Sequence, residues 1–159
     1  MGLFLSSKSS LSILWNQATS ILSCNMSIGQ VLKIGRDTTC CGLTLNLDGS
    51  SCCYIGRDCM FGGDVLLLPS DGHSIIDPET LDLLNSDGEI TIGDHVWIGA
   101  RSIICKNTNI SSGCVVAAGS VVPKMNVGKN SIIAGAPAKV LRTGKTWHRC
   151  NPYFYKSKG

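Results

Sequence analysis

Apolar residues recur at every sixth position through the middle of the chain, from Ile90 to Val122. The aliphatic members of this frame are Ile92, Ile98, Ile104, Ile110, Val116 and Val122. Two positions before the next aliphatic stands a small or compact residue, namely Val96, Ser102, Thr108, Cys114 and Ser120. Neither a helical period nor a plain strand alternation produces both signals. A short fixed repeat is typical of a solenoid, whose units bury their apolar faces by stacking on one another, so the pattern predicts an all-β solenoid.

The same frame extends backwards with cysteines among its small inward residues. Ile55, Phe61 and Leu67 hold the aliphatic positions, and their partners are Cys53, Cys59 and Val65. The chain has nine cysteines, an odd number without paired C-x-x-C spacing, which gives little support to a disulfide framework or a zinc site. A free cysteine packs as a small hydrophobe. We therefore expect Cys53, Cys59 and Cys114 to fill the core of a protein from a reducing cytosol.

Towards the N-terminus the frame weakens. The six-residue spacing is first visible, weakly, at Ile28 and Ile34, and it is lost between residues 38 and 51. Within residues 38–51, Leu43, Leu45 and Leu47 alternate with polar residues, as in a half-buried strand. Two of those polar residues, Asn46 and Asp48, either contribute to an acceptor pocket or simply face solvent.

The frame is lost between residues 68 and 89, where Pro, Gly, Asp, Ser and Asn predict an extended loop. Long loops that interrupt a regular fold often carry function. This loop contains His73, one of three histidines. A histidine in a polar loop is normally just exposed to solvent. Because His73 lies in the one long loop that interrupts the repeat, we take it as the candidate catalytic residue.

The ends of the chain predict terminal segments on either side of the repeat. Residues 1–27 lack both a long apolar run and a clean secretory signal, so no integral membrane segment is expected there. We interpret residues 1–27 as a helical or irregular cap, 28–142 as the repeat domain and 143–159 as a C-terminal tail. The tail combines aromatic and basic residues, and Trp147 is the best candidate to anchor it. A formal charge of +3 with 16% charged residues gives no electrostatic case for nucleic acid.

Several motifs together resemble the hexapeptide-repeat acyltransferases, in particular the sugar and polysaccharide O-acetyltransferases. These motifs are Ser70-Asp71-Gly72-His73, the stretch from Ile90 to Gly99, the stretch from Ala117 to Val122, and I-x-G-x-P-A-K-V-x-R from Ile133 to Arg142. They cover roughly residues 53–142. The resemblance implies a left-handed parallel β-helix of triangular section, with about three hexapeptides to a coil. It also implies a homotrimer with active sites between adjacent subunits.

The resemblance also assigns roles to individual residues. It makes His73 the catalytic base, and it places Trp97 beside the thioester of acetyl-CoA, the acetyl donor. Asp71 either orients His73 or caps the turn. Contacts with the pantetheine arm of coenzyme A are implied for Gly99, Ala100, Ala118 and Gly119. Contacts with its phosphates are implied for Lys124, Lys139 and Arg142. Without the resemblance, these three basic residues would be interpreted as ordinary surface charges.

The role of general base for His73 can also be argued from the chemistry of imidazole, without the resemblance. An imidazole titrates near neutral pH and can take the hydroxyl proton as a sugar attacks an already activated thioester. We therefore expect a cytoplasmic acetyl-CoA-dependent O-acetyltransferase acting on a carbohydrate. The alternatives are N-acetylation of an amino sugar and a non-catalytic scaffold. A γ-class carbonic anhydrase is disfavoured because His73, His95 and His148 lack the spacing of three metal ligands, so no metal is expected.

Overall fold

The computed structural model describes residues 10–13, 22–25 and 30–155, and this part of the chain consists of short strands. In chain order the strands are β1 (Ser10–Ile13), β2 (Leu22–Asn25), β3 (Val31–Ile34), β4 (Thr39–Cys40), β5 (Leu43–Asn46), β6 (Cys52–Ile55), β7 (Met60–Phe61), β8 (Val65–Leu68), β9 (Glu89–Ile92), β10 (Trp97–Ile98), β11 (Ile103–Cys105), β12 (Thr108–Ile110), β13 (Val115–Val116), β14 (Val121–Val122), β15 (Asn126–Val127), β16 (Ile132–Gly135) and β17 (Ala138–Arg142). No helix capable of crossing a membrane occurs among the described residues.

The strands form three sheets that the chain visits in turn. The first sheet has the order β1-β3-β6-β9-β12-β15, the second β4-β7-β10-β13-β16-β17, and the third β2-β5-β8-β11-β14. Neighbouring strands are parallel except for β16 and β17, which are antiparallel. Because each coil passes from the first to the second to the third sheet, the molecule is a three-sided parallel β-helix.

The interior of this prism is filled by the residues of the sixfold frame, as expected. Its aliphatic members between Ile92 and Val122 are at most 2% exposed, and the small residues before them are equally buried. Cys53, Cys59 and Cys114 are fully buried, and burial raises the pKa of the Cys59 thiol to about 11. These thiols therefore act as small apolar core residues. Leu43, Leu45 and Leu47 are buried too, which confirms the alternation around them.

The N-terminal segment contains more of the solenoid than the sequence pattern indicates. We expected a cap over residues 1–27, but β1 pairs with β3 and β2 pairs with β5 in parallel register. Ile13, Ile34 and Ile55 are successive register partners, 21 residues apart rather than 18. This longer coil breaks the sixfold count and hides the repeat. Residues 1–9, 14–21, 26 and 27 of the proposed cap lie outside the described residues.

The expected loop lies between the end of β8 at Leu68 and the start of β9 at Glu89. It leaves the prism at the corner where the third sheet turns into the first. A bridge between Ile76 and Leu83, with backbone hydrogen bonds from Asp77 to Asp82 and from Leu84 to Ile75, folds it into an irregular hairpin. This corner is where the candidate catalytic residue is found.

Candidate active site

A groove of about 330 Å³ opens beside the loop and contains His73. Its walls come from the turn at residues 48–50, the segment 70–74 and residues 83 and 85–87. The side chain of His73 is exposed, and its imidazole makes no hydrogen bond to any described residue. Both ring nitrogens are therefore accessible to a ligand in the groove.

Asn85 connects the residues around His73. Its side-chain nitrogen donates to the backbone oxygen of His73 at 2.9 Å and to Asp71 Oδ2 at 2.7 Å. Its side-chain oxygen accepts from the backbone N–H of Ile75 at 2.7 Å. One amide group thus braces the chain on both sides of the histidine.

Asp71 makes its hydrogen bonds to groups other than the imidazole of His73. Its carboxylate pairs with Lys106, which lies one coil further along the chain, and accepts from Asn85. These hydrogen bonds hold the pKa of Asp71 below its ordinary value. The sequence left open whether Asp71 orients His73 or caps the turn. In the structure it ties the loop to the prism, while the hydroxyl of Ser70 accepts from the N–H of Gly72.

The groove carries further carboxylates. Asp87 accepts from the hydroxyl of Ser70 at 2.7 Å and from the N–H of Ser50 at 2.9 Å, which keeps its pKa low. Asp48 also lines the groove, so the structure brings this acceptor-site candidate towards His73. Asn46 is exposed on β5 and does not belong to the lining.

Trp97 lies on a different side of the prism from His73. It is the first residue of β10 in the second sheet, is 38% exposed, and has Met60 and Val115 as its strand neighbours. Its indole N–H makes no hydrogen bond to the described residues. The corner that carries His73 joins the third and first sheets, so it is opposite the second sheet. One chain alone does not bring the two side chains together.

The residues implied for the pantetheine arm do come together, at the corner between the second and third sheets. The N–H of Gly119 donates to the oxygen of Ala100, and the coils here stack very closely. A Cβ built on Gly99 would lie 2.4 Å from the backbone nitrogen of Ala118, while one on Gly119 would meet open space. This corner is a narrow, flat edge with room outside it.

The three basic residues implied for the phosphates are more dispersed. Lys139 and Arg142 lie on β17, which closes the second sheet, and Lys124 follows β14 in the third sheet. All three are exposed, and none forms an ion pair with a described residue. These three charged groups are free to bind an anion, but their positions are equally compatible with ordinary surface residues exposed to solvent.

The corner between the first and second sheets is covered by the tail. Asp94 pairs with Arg57 of the preceding coil at 2.8 Å, and the ring of His95 bonds to Asp58 and to the backbone oxygen of Trp147. Trp147 is 8% exposed, so it anchors the tail as expected. Within the described residues, no group of three His, Cys, Asp or Glu side chains is arranged to hold a metal ion.

Sequence reasoning missed Asn85, Lys106 and Asp87. Each is a common polar residue in a loop or corner, and no local motif marks it. Lys106 follows the loop by a whole coil, so only the stacking of coils reveals its partner. Their roles depend on contacts between segments that are far apart in the sequence.

The sequence of this chain is similar to those of known acetyltransferases. A family model described as the hexapeptide repeat of succinyl-transferase matches residues 89–124. The chain is 37% identical over 122 residues to the polysialic acid O-acetyltransferase of Escherichia coli O1:K1 / APEC, covering 76% of this chain and 39% of that protein. It is 35% identical over 86 residues to the galactoside O-acetyltransferase of Escherichia coli (strain K12), covering 51% and 42%.

The solved structures show the same fold. The crystal structure of the polySia specific acetyltransferase NeuO matches with a TM-score of 0.61 and 24% identity, over 86% of this chain and 92% of that one. The polysialic acid O-acetyltransferase OatWY matches with a TM-score of 0.66 and 21% identity, over 84% and 70%. The chain therefore contains the hexapeptide repeat over residues 89–124, and its fold is the left-handed parallel β-helix found in hexapeptide acetyltransferases. It spans about two fifths of the length of the curated relatives described above.

Proposed function

We propose that this chain transfers an acetyl group from acetyl-CoA to a carbohydrate hydroxyl, with His73 as the general base. The observation that carries the proposal is the exposed, unpaired imidazole of His73 in a groove of polar side chains. In the reaction the imidazole takes the hydroxyl proton while the oxygen attacks the thioester carbon. The tetrahedral intermediate then collapses, the carbon–sulfur bond breaks, and the departing thiolate receives the proton.

Trp97 is suited to the charge that develops on the thioester oxygen. Its indole N–H is a donor without a partner among the described residues, on a partly exposed face. A donor that is fixed in place before the reaction stabilises an oxyanion most effectively. A backbone N–H of the coil could supply a second donor.

The corner between the second and third sheets supports a binding site for the cosubstrate. Glycine is needed at positions 62 and 99, because a Cβ there would lie 2.5 Å and 2.4 Å from the backbone nitrogens of Ala100 and Ala118 in the next coil. The pantetheine arm would lie along this edge beside Ala100 and Ala118. Lys139 and Arg142 on β17 would meet the phosphates, with Lys124 as the more distant third contact.

Assembly into a homotrimer would complete the site. His73 and Trp97 occupy opposite sides of one prism, so a complete site requires the corner of one subunit to face the second sheet of the next. The loop also exposes apolar side chains that a neighbour could cover, namely Ile75, Ile76, Leu81, Leu83 and Leu84, each at least 49% exposed. Closed symmetric assemblies of this kind are common among soluble oligomers.

The charge of the groove favours an uncharged acceptor. Asp48, Asp71 and Asp87 contribute carboxylates, and Lys106 pairs with only one of them. A polyanionic sugar would meet repulsion from the other two, whereas a neutral polyol can donate hydroxyl hydrogens to them. The same carboxylates would attract an ammonium group, so N-acetylation of an amino sugar is the second candidate.

Release of the CoA thiol with a panel of neutral, amino and anionic sugars tests the function. We expect acetyl-CoA turnover with a neutral sugar and an O-acetyl ester in the product by mass spectrometry. An amide product would establish the second candidate. A folded protein that binds no acetyl-CoA and acetylates no member of the panel would contradict the proposal and leave the role of a scaffold.

A further inference from the structure

The C-terminal tail folds back along the corner between the first and second sheets. The N–H of Lys145 donates to the backbone oxygen of Asn130, at the last turn of that corner. From there the chain runs back over earlier coils, so that Trp147 lies on His95 and Arg149 lies on Asp58. We name Asp58, His95, Trp147 and Arg149 the tail clasp.

Trp147 makes two independent contacts with His95. Its ring is stacked on the imidazole, with the centroids 4.4 Å apart and the planes inclined by 8°. Its indole N–H donates to the backbone oxygen of His95 at 2.8 Å. The tail is therefore held in one orientation rather than simply resting on an apolar surface.

Both ring nitrogens of His95 face groups that accept hydrogen bonds. Nδ1 lies 2.7 Å from Asp58 Oδ2, and Nε2 lies 3.0 Å from the backbone oxygen of Trp147. The imidazole is therefore held between Asp58 on the body of the prism and the backbone of the tail.

Asp58 joins His95 and Arg149 within the clasp. Burial would raise the pKa of Asp58, but hydrogen bonds from Arg149 and His95 outweigh it and hold that pKa below its ordinary value. Asp58 is thus an anion shared between two donors. Further charged groups lie at this corner, namely the ion pairs Asp94–Arg57 and Asp37–Arg36 and the exposed Lys129.

Arg149 fixes the far end of the clasp. Besides Asp58 Oδ1 at 2.8 Å, its guanidinium donates to the backbone oxygens of Asp37 and Cys59 and to the hydroxyl of Thr39. The guanidinium carbon also lies 5.5 Å from the ring centroid of Trp147. These bonds span successive coils, so the tail is tied to the body of the prism.

The docked Trp147 also touches Trp97. The two ring centroids are 6.1 Å apart and the planes are inclined by 48°, a tilted arrangement typical of packed aromatic pairs. Trp97 starts β10, two residues after His95, and is otherwise partly exposed. Trp147 therefore covers one side of the indole that the proposed reaction uses.

We propose that Trp147 is a positioning residue for Trp97, and that the tail clasp holds Trp147 against it. The part that concerns catalysis rests on the proposed acetyl transfer. Without the Trp147 ring, one side of the Trp97 indole would lose its contact, and the indole would sample more than one orientation. Its N–H would then be less well placed to stabilise the thioester oxygen, so kcat should fall.

The kinetic test compares Trp147→Ala, Trp147→Phe and His95→Asn with the control Tyr153→Ala, whose residue lies in the same tail and is 88% exposed. Asn suits position 95 because it tolerates the left-handed backbone found there, with φ of 55°. We expect kcat to fall between about 10- and 100-fold in Trp147→Ala, with a smaller change in KM for the acceptor. Trp147→Phe should recover part of kcat, and His95→Asn should lower kcat because it removes the ring on which Trp147 stacks. Unchanged kcat in Trp147→Ala, or an equal loss in Tyr153→Ala, would overturn the proposal.

A second test needs no catalysis and so separates this proposal from the proposed function. In the wild-type protein, NMR should show the Trp147 indole N–H protected from exchange and a single rotamer for the Trp97 side chain. In His95→Asn, which lacks the ring on which Trp147 stacks, protection should fall and Trp97 should sample several rotamers. A freely exchanging Trp147 indole in the wild-type protein, or a single Trp97 rotamer in His95→Asn, would overturn the proposal, even if Trp147→Ala fails to fold.

Discussion

His73 and Trp97 lie on opposite sides of the same prism. His73 is at the corner between the third and first sheets, and Trp97 is on the second sheet, which lies opposite that corner. In the sequence they are separated only by the rest of the loop, the strand β9 and the corner that follows it. Because the prism lies between them, an active site that uses both must combine two subunits. This relationship is the structural basis for the proposed trimer.

Mixing two inactive variants tests the shared site. His73→Ala supplies an intact Trp97, and Trp97→Ala supplies an intact His73, so a mixed trimer should contain some complete sites. With equal amounts and random assembly, about a quarter of the sites would be complete. Activity is measured after unfolding and refolding the two variants together.

Each variant refolded alone is the control, together with the mass of the assemblies by light scattering. A mixture no more active than its components would contradict a site shared between subunits. A monomeric mass with full activity in the wild-type protein would do the same.

Asn85 should be a positioning residue for His73. Asn85→Ala removes three hydrogen bonds around the histidine, each worth about 0.5–1.5 kcal/mol. We expect kcat to fall at least about tenfold with little change in KM, because the groove remains but the base is no longer fixed. Asn126→Ala, an exposed asparagine on β15, is the control. Equal kinetics in the two variants would remove Asn85 from the site.

The basic residues on β17 should act on the cosubstrate alone. The Lys139→Ala/Arg142→Ala double variant should raise KM for acetyl-CoA, since charge-assisted hydrogen bonds are worth about 1.5–3 kcal/mol each and less when exposed. KM for the sugar should stay near its wild-type value. Lys129→Ala, an exposed lysine at the corner between the first and second sheets, controls for net charge. An unchanged KM for acetyl-CoA would mean that Lys139 and Arg142 are plain surface charges.

Two adjacent glycines should respond very differently to the same substitution. A Cβ at position 62 would lie 2.5 Å from the backbone nitrogen of Ala100, whereas a Cβ at position 63 meets nothing within 4 Å. Gly62→Ala should therefore lower the free energy of unfolding by about 1–3 kcal/mol, as overpacking does. Gly63→Ala should change it by less than about 0.5 kcal/mol. Urea unfolding measures both, and similar midpoints would contradict the close stacking at this corner.

The sequence is most informative where the coil length is regular. From Ile92 to Val122 each hexapeptide has the same length, so the inward positions could be predicted residue by residue. Around Ile13 and Ile34 the coils are longer, and the sixfold count no longer identifies the register partners. The first coils were therefore mistaken for a cap.

The candidate site, too, is predictable from the sequence only in part. His73 and Trp97 belong to recognisable motifs, and the loop that carries His73 stands out because it interrupts the repeat. Asn85 and Lys106 become visible only when the loop is folded against the next coil. The stacking of Trp147 on His95, across 52 residues of sequence, has no local signal at all.

The account depends most directly on His73 as the base, and the turnover of His73→Ala is the measurement that tests it. We expect kcat to fall by roughly 10²–10⁴-fold, the usual effect of removing a positioned acid–base group. Folding and assembly should be unchanged, because the side chain is exposed and lies outside the core. A folded His73→Ala protein with the wild-type oligomeric mass and near wild-type kcat would contradict the account.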